Sequence, residues 1–198
     1  MLSVRHRAQL GLSAAVLLIG LNVTALLWMP RHTLPIAVAG VGTLAPDFQL
    51  RDTDGRSVTL SEFDGKAVVL YFNSSTCTKS AAYHQRVNRL AQRYASDPRV
   101  IFLAVDVKRA GSTPIVSQRD AGAARAFRTL LDERGAVAAR YSAVGEIPMV
   151  VLIDRRGRVS YRGPFDDHPD IAFTTRAFCA DALREVLGAP IAAMAKSR

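Results

Sequence analysis

Cysteine is scarce in this chain. Cys77 and Cys179 are the only two among 198 residues, and they stand 102 positions apart, so no local Cys-x-x-Cys pair exists. Histidine is nearly as scarce, and its four copies make poor metal ligands. His6 and His32 flank an apolar stretch, and His84 falls seven residues after Cys77. His168 sits in Asp166-Asp167-His168-Pro169-Asp170, whose spacing matches no zinc signature and reads as a solvated loop. No metal and no cofactor is expected. The chain also lacks internal repeats, low-complexity segments and a basic stripe with interleaved aromatics. The last absence argues against a nucleic-acid partner, although the formal net charge is +9. That charge is scattered: Arg5, Arg7 and Arg31 supply +3 and the chain after Pro46 the remaining +6.

Long uncharged runs are absent too, with one exception. Ala8 to Met29 gives 22 consecutive positions without a charged side chain, enough for a helix to cross a bilayer core. Arg5 and Arg7 precede it with no acid nearby, which places the short N-terminus, residues 1–7, in the cytoplasm and everything after Trp28 on the far side. A cleaved signal peptide competes, with Ala37-Val38-Ala39 as its small-residue site. The apolar stretch is longer than a typical signal core and ends well before that site, so an uncleaved anchor is expected. The expected organisation is an anchor at 8–29, a linker at 30–42, one domain at 43–190 and a tail at 191–198. The domain then lies on the periplasmic side of the inner membrane.

Within the domain, Phe48-Gln49-Leu50 and Val58-Thr59-Leu60 flank Asp52-Thr53-Asp54-Gly55, a hairpin signal. Ala67 to Phe72 and Val100 to Val105 are short apolar runs suited to central strands buried on both faces. Between them Tyr83, Val87, Leu90 and Tyr94 recur at helical spacing. Further helices are expected over about Ala121 to Leu130, about Ala136 to Tyr141, and from near Thr174 to before Gly188. After Pro148, Met149 to Ile153 and Arg158 to Arg162 form a second hairpin around Asp154-Arg155-Arg156-Gly157. Strands alternating with helices give an α/β fold with a mixed central sheet flanked by helices.

Chemistry centres on Phe72-Asn73-Ser74-Ser75-Thr76-Cys77-Thr78-Lys79-Ser80, where a strand ends just before a thiol that opens a helix. The first-turn N–H groups and the positive end of the helix dipole favour a thiolate there, and Lys79 adds charge of the same sign at long range. Cys77 is therefore the candidate nucleophile. Ser80, one turn along the same face, either donates a hydrogen bond to the sulfur or is a tolerated small polar residue. Cys179 shares a helical stripe with Leu183, Val186 and Leu187, which argues for a buried core thiol.

Ala45-Pro46-Asp47-Phe48, the first hairpin, Phe63-Asp64-Gly65-Lys66, the strand ending in Phe72, Cys77, Ile147-Pro148 and Tyr161-Arg162-Gly163 follow one another in a familiar order. The chain from about Thr43 to Leu187 resembles the thioredoxin-fold redoxins, and most nearly the membrane-tethered bacterial proteins of the alkyl hydroperoxide reductase and thiol-specific antioxidant branch. The resemblance implies a thioredoxin-like fold and a cis Ile147–Pro148 bond against the active cysteine, which makes Ile147 and Pro148 substrate-binding residues and leaves the Ile147 backbone free to pair with a substrate strand. It also implies a final helix beginning on the active edge, which would make Cys179 a possible resolving thiol.

The departures are informative. Thioredoxin-type members carry a second cysteine where this chain has Ser80, and a tryptophan where it has Thr76. Peroxiredoxins place Ser or Thr three residues before the active cysteine and proline seven before; here those positions are Ser74 and Leu70. The expected function is thiol–disulfide exchange by a single thiol, acting on protein or low-molecular-weight thiols and disulfides. A hydroperoxide-consuming peroxidase and a non-catalytic client-binding module remain as alternatives.

Overall fold

The computed structural model describes residues 38–108 and 126–188. The expected anchor at 8–29 lies outside them, and no helix among the described residues is long and apolar enough to cross a membrane. Seven strands form one sheet in the order β2-β1-β5-β4-β3-β6-β7, with β1 Gln49–Asp52, β2 Ser57–Thr59, β3 Ala67–Asn73, β4 Val100–Val107, β5 Arg128–Asp132, β6 Met149–Ile153 and β7 Val159–Gly163. The sheet is mixed: β3, β4 and β5 run parallel, while β6 pairs antiparallel with both β3 and β7. Every residue of β3 is buried, as its unbroken apolar run requires of a strand covered on both faces.

Alternate residues of the central strands serve two cores. Ala67, Val69 and Tyr71 face helix α1 (Thr78–Arg93) and helix α3 (Phe178–Leu187), meeting Tyr83, Val87, Leu90, Cys179 and Leu183. Val68, Leu70 and Phe72 face the other way, toward Val137 and Ala138 of the short helix α2 (Ala136–Arg140) and toward Tyr141. Two aspartates make the hairpins. Asp52 Oδ1 accepts the N–H groups of Asp54 and Arg56, and Asp154 Oδ1 those of Arg156 and Arg158. Helix α3 ends at Gly188, whose φ of 67° is the left-handed cap that a glycine supplies without strain.

Three expectations change. Arg128–Asp132 is a strand, not the end of a helix running from Ala121: Arg51 and Asp52 pair with Leu131 and Leu130 on one side while Leu103 to Val107 pair on the other. The final helix begins at Phe178 rather than Thr174, because residues 171–173 form a separate 3-10 turn capped by Asp170. The packed domain begins before Thr43. Ala39 is buried, its N–H donates to the Arg140 carbonyl, and Gly42 N–H donates to Val159.

The segment before β1 is fastened through Tyr141, whose hydroxyl donates to the Pro46 carbonyl at 2.7 Å while its ring meets Phe48 and Phe72. Tyr141→Phe is expected to lower the unfolding free energy by about 1 kcal/mol in urea titrations. An unchanged midpoint would show that this bond fastens nothing.

Candidate functional site

The carboxyl ends of β3 and β4 and the start of β6 share one edge of the sheet. Asn73 is the register partner of Asp106, and Phe72 is that of Met149, which brings Ile147–Pro148 to the edge where β3 gives way to the thiol turn. The Ile147–Pro148 bond is cis, and both residues are partly exposed. The resemblance implied this arrangement.

Cys77 is the N-cap of α1 and is partly exposed, and its sulfur makes no capping bond. The first intrahelical bond runs from Ala81 N–H to the Cys77 carbonyl at 3.2 Å, so the amides of Thr78, Lys79 and Ser80 precede the helical ladder. A thiolate at the N-cap is stabilised by that end of the helix. Lys79 is exposed in the same turn.

The turn leading to Cys77 is tied at every backbone amide. Ser74 N–H donates to Ser80 Oγ at 3.2 Å, and Ser75 N–H donates to Asp106 Oδ1 at 2.8 Å. Thr76 N–H donates to Ser74 Oγ at 3.4 Å, and Cys77 N–H donates to the Ser74 carbonyl at 3.0 Å. The Ser74 and Thr76 hydroxyls are themselves 2.9 Å apart. Ser80 is held on its other side by Tyr71, whose buried hydroxyl donates to the Ser80 carbonyl at 3.0 Å. Burial, then the nearby Cys77 charge, pushes the Tyr71 hydroxyl pKa well up, which keeps it a donor. Ser80 thus acts as an acceptor for the turn. Sequence reasoning missed Asp106, a lone acid in an apolar strand; that incongruity was the available signal.

Cys179 lies in a different setting. It is fully buried under β3 and β6 in the α3 core, and burial, followed by the charge of Asp166, pushes its thiol up to about 12. Neither cysteine is in a disulfide. The Asp166–Asp170 loop holds no metal cluster among the described residues. Asp166 is buried and paired with Arg86 of α1, while Asp167 accepts the N–H and hydroxyl of Thr175, which lowers its carboxyl to about 2. His84 stacks edge-on against Phe127.

A mixed sheet with a cysteine at the head of α1 and a cis-proline just before β6 defines a thioredoxin-fold redoxin. The model of the AhpC/TSA family matches residues 41–162, and the chain belongs to that family. Thiol-disulfide oxidoreductase ResA of Geobacillus thermodenitrificans is 32% identical over 120 residues, covering 60% of this chain and 66% of that protein. The chloroplastic peroxiredoxin Q of Oryza sativa subsp. japonica is 44% identical over 55 residues, 26% of this chain and 25% of that protein. The chain therefore spans about a quarter of the peroxiredoxin relatives it matches. Among solved structures, a hypothetical protein from Sinorhizobium meliloti 1021 superposes with a TM-score of 0.63 at 30% identity, over 75% of this chain and 85% of that one. The pneumococcal exposed lipoprotein thioredoxin superposes with a TM-score of 0.51 at 23% identity, over 70% and 99%, and shows the shared fold.

Proposed function

We propose that the protein is a thiol–disulfide oxidoreductase that works outside the cytoplasm through the single thiol of Cys77. The observation that carries the reading is the pairing of a partly exposed N-cap Cys77 with a buried Ser80 in the second position and a sealed Cys179. The Cys77 thiolate attacks one sulfur of a client disulfide. A new S–S bond forms, the client's bond breaks, and its other sulfur leaves as a thiolate that takes a proton from water. A thiol from glutathione, the client or another protein must then attack the mixed disulfide and restore Cys77. Ile147 and Pro148, at the same sheet edge, are the proposed place for a client strand to lie. The extracytoplasmic setting rests on the 8–29 stretch and its arginine flank.

Ser74 stands where a peroxiredoxin hydroxyl would be, and the peroxiredoxin Q matches favour a second, peroxide-directed reading. The Ser74 hydroxyl is buried and engaged with Thr76, which favours disulfide chemistry. Mass spectrometry of reduced protein after an oxidised peptide or hydrogen peroxide separates the two. A persistent peptide adduct on Cys77, abolished by Cys77→Ser and shortened in lifetime by Ser80→Cys, is the expected result. Stoichiometric peroxide consumption without a peptide adduct would favour the peroxidase. Inertness toward both would leave a client-binding module.

A further inference from the structure

We propose that Asp106 is the positioning residue of the thiol turn, acting on Cys77 through the Ser75 amide. The inference rests on the oxidoreductase reading for its consequence and on the hydrogen bonds for its geometry. Two of the four amides from Ser74 to Cys77 are satisfied within the turn, by the oxygens of Ser74 itself. Those bonds shape the turn but cannot fix where it sits. The other two reach outside it, to Ser80 on α1 and to Asp106 on β4. Ser80 belongs to the helix that the thiol heads and reaches the sheet through the Tyr71 hydroxyl. Asp106 is the one of the two that ties the turn to the sheet directly, from a residue that is 1% exposed on a strand buried between two neighbours.

The backbone around Asp106 is immobilised by parallel pairing on both sides, with Asn73 on β3 and Leu131 on β5. Its carboxylate projects this rigidity 31 residues back along the sequence, at 2.8 Å from the Ser75 nitrogen. Disulfide attack needs the sulfur in line with the bond being broken, so a displacement of about 1 Å at the nucleophile can slow such a step by ~100-fold. A charged acceptor makes a stronger bond to an amide than a neutral one. A carboxylate is therefore a fitting post for a turn that must not drift. Asparagine retains a side-chain oxygen at the same reach, and alanine retains none.

The test measures how fast Cys77 forms its mixed disulfide with an oxidised peptide in the wild type, Asp106→Ala and Asp106→Asn. Asp106→Ala is expected to be slower by about 10- to 100-fold per folded molecule, with Asp106→Asn within about threefold of wild type. Equal rates in Asp106→Ala and wild type would overturn the proposal. So would an Asp106→Asn rate as low as that of Asp106→Ala, because the retained oxygen would then not matter. If Asp106→Ala does not fold, amide exchange of the wild type decides: Ser75 should be protected, and an unprotected Ser75 amide overturns the assignment. A wild type that forms no adduct while Ser75 is protected would instead refute the oxidoreductase reading and leave the geometry standing.

Discussion

A pulse of iodoacetamide at about pH 7.5 should label Cys77 in the folded protein and leave Cys179 unmodified, with rates differing by more than about 1000-fold. Alkylation proceeds through the thiolate. An ordinary exposed thiol titrates near 8.5, so a thiol pushed up to about 12 presents a thiolate fraction lower by more than ~1000-fold at neutral pH. Zero exposure adds a second barrier, because the reagent reaches Cys179 only when the α3 core opens. The same burial has a consequence for stability. The Cys179 pKa is raised above its unfolded value, so its contribution is complete below about pH 9 and is lost as pH rises toward about 12. The loss approaches ~1.4 kcal/mol per pH unit. Cys179→Ala should remove that part of the alkaline slope. Comparable labelling of the two cysteines, or labelling of Cys77 only on unfolding, would sink the assignment of Cys77 as nucleophile.

Arg86→Met should cost about 3 to 5 kcal/mol of stability in urea titrations at pH 7. The Arg86 guanidinium donates to Asp166 Oδ2 at 2.5 Å, to the His168 and Pro169 carbonyls at 3.0 and 2.7 Å and to Thr174 Oγ1 at 3.2 Å, and it lies over the Tyr83 ring. One side chain of α1 thus secures the loop that leads into α3. Methionine keeps the apolar stem but strands a buried carboxylate whose other oxygen, Oδ1, has no hydrogen-bond partner among the described residues. Desolvation raises the Asp166 pKa even against the pull of Arg86. The folded state therefore holds that proton more tightly than the unfolded chain, and its stabilising contribution is full in acid and lost as pH rises. Removing Arg86 steepens the loss, so the deficit of the variant should narrow toward pH ~4, and Asp166→Asn in the same background should recover part of it. A deficit that does not vary with pH, or no deficit, would show that the pair carries little.

The legible parts of this protein were those written locally. The β3 run, the aspartate-led turns and the spacing of Tyr83, Val87 and Leu90 each state their structure within a few residues. Cys77 was readable because a polar segment between a strand and a helix is an unusual place for a thiol. What escaped depends on partners distant in sequence. The Arg128–Asp132 strand follows an alanine-rich stretch that reads as helix, and only pairing with both β1 and β4 makes it a strand. The hydroxyl of Ser80 looked equally able to serve the sulfur or nothing. Its bond to Ser74 N–H requires knowing how the turn folds back on the helix. Asp106 acts on Ser75 across 31 residues, beyond the reach of any periodic pattern.

Ser80 stands in the second position, Cys179 is sealed in the α3 core, and neither cysteine is in a disulfide. On the single-thiol reading, the domain has no internal dithiol couple, and titration against a redox buffer yields no midpoint belonging to it alone. An oxidising equivalent resides on Cys77 only while a foreign sulfur is attached, and it departs with the next thiol to arrive. The domain then behaves as a covalent waiting station rather than an electron store. Its working parameters become occupancy and residence time, set by the concentration and nucleophilicity of the second thiol.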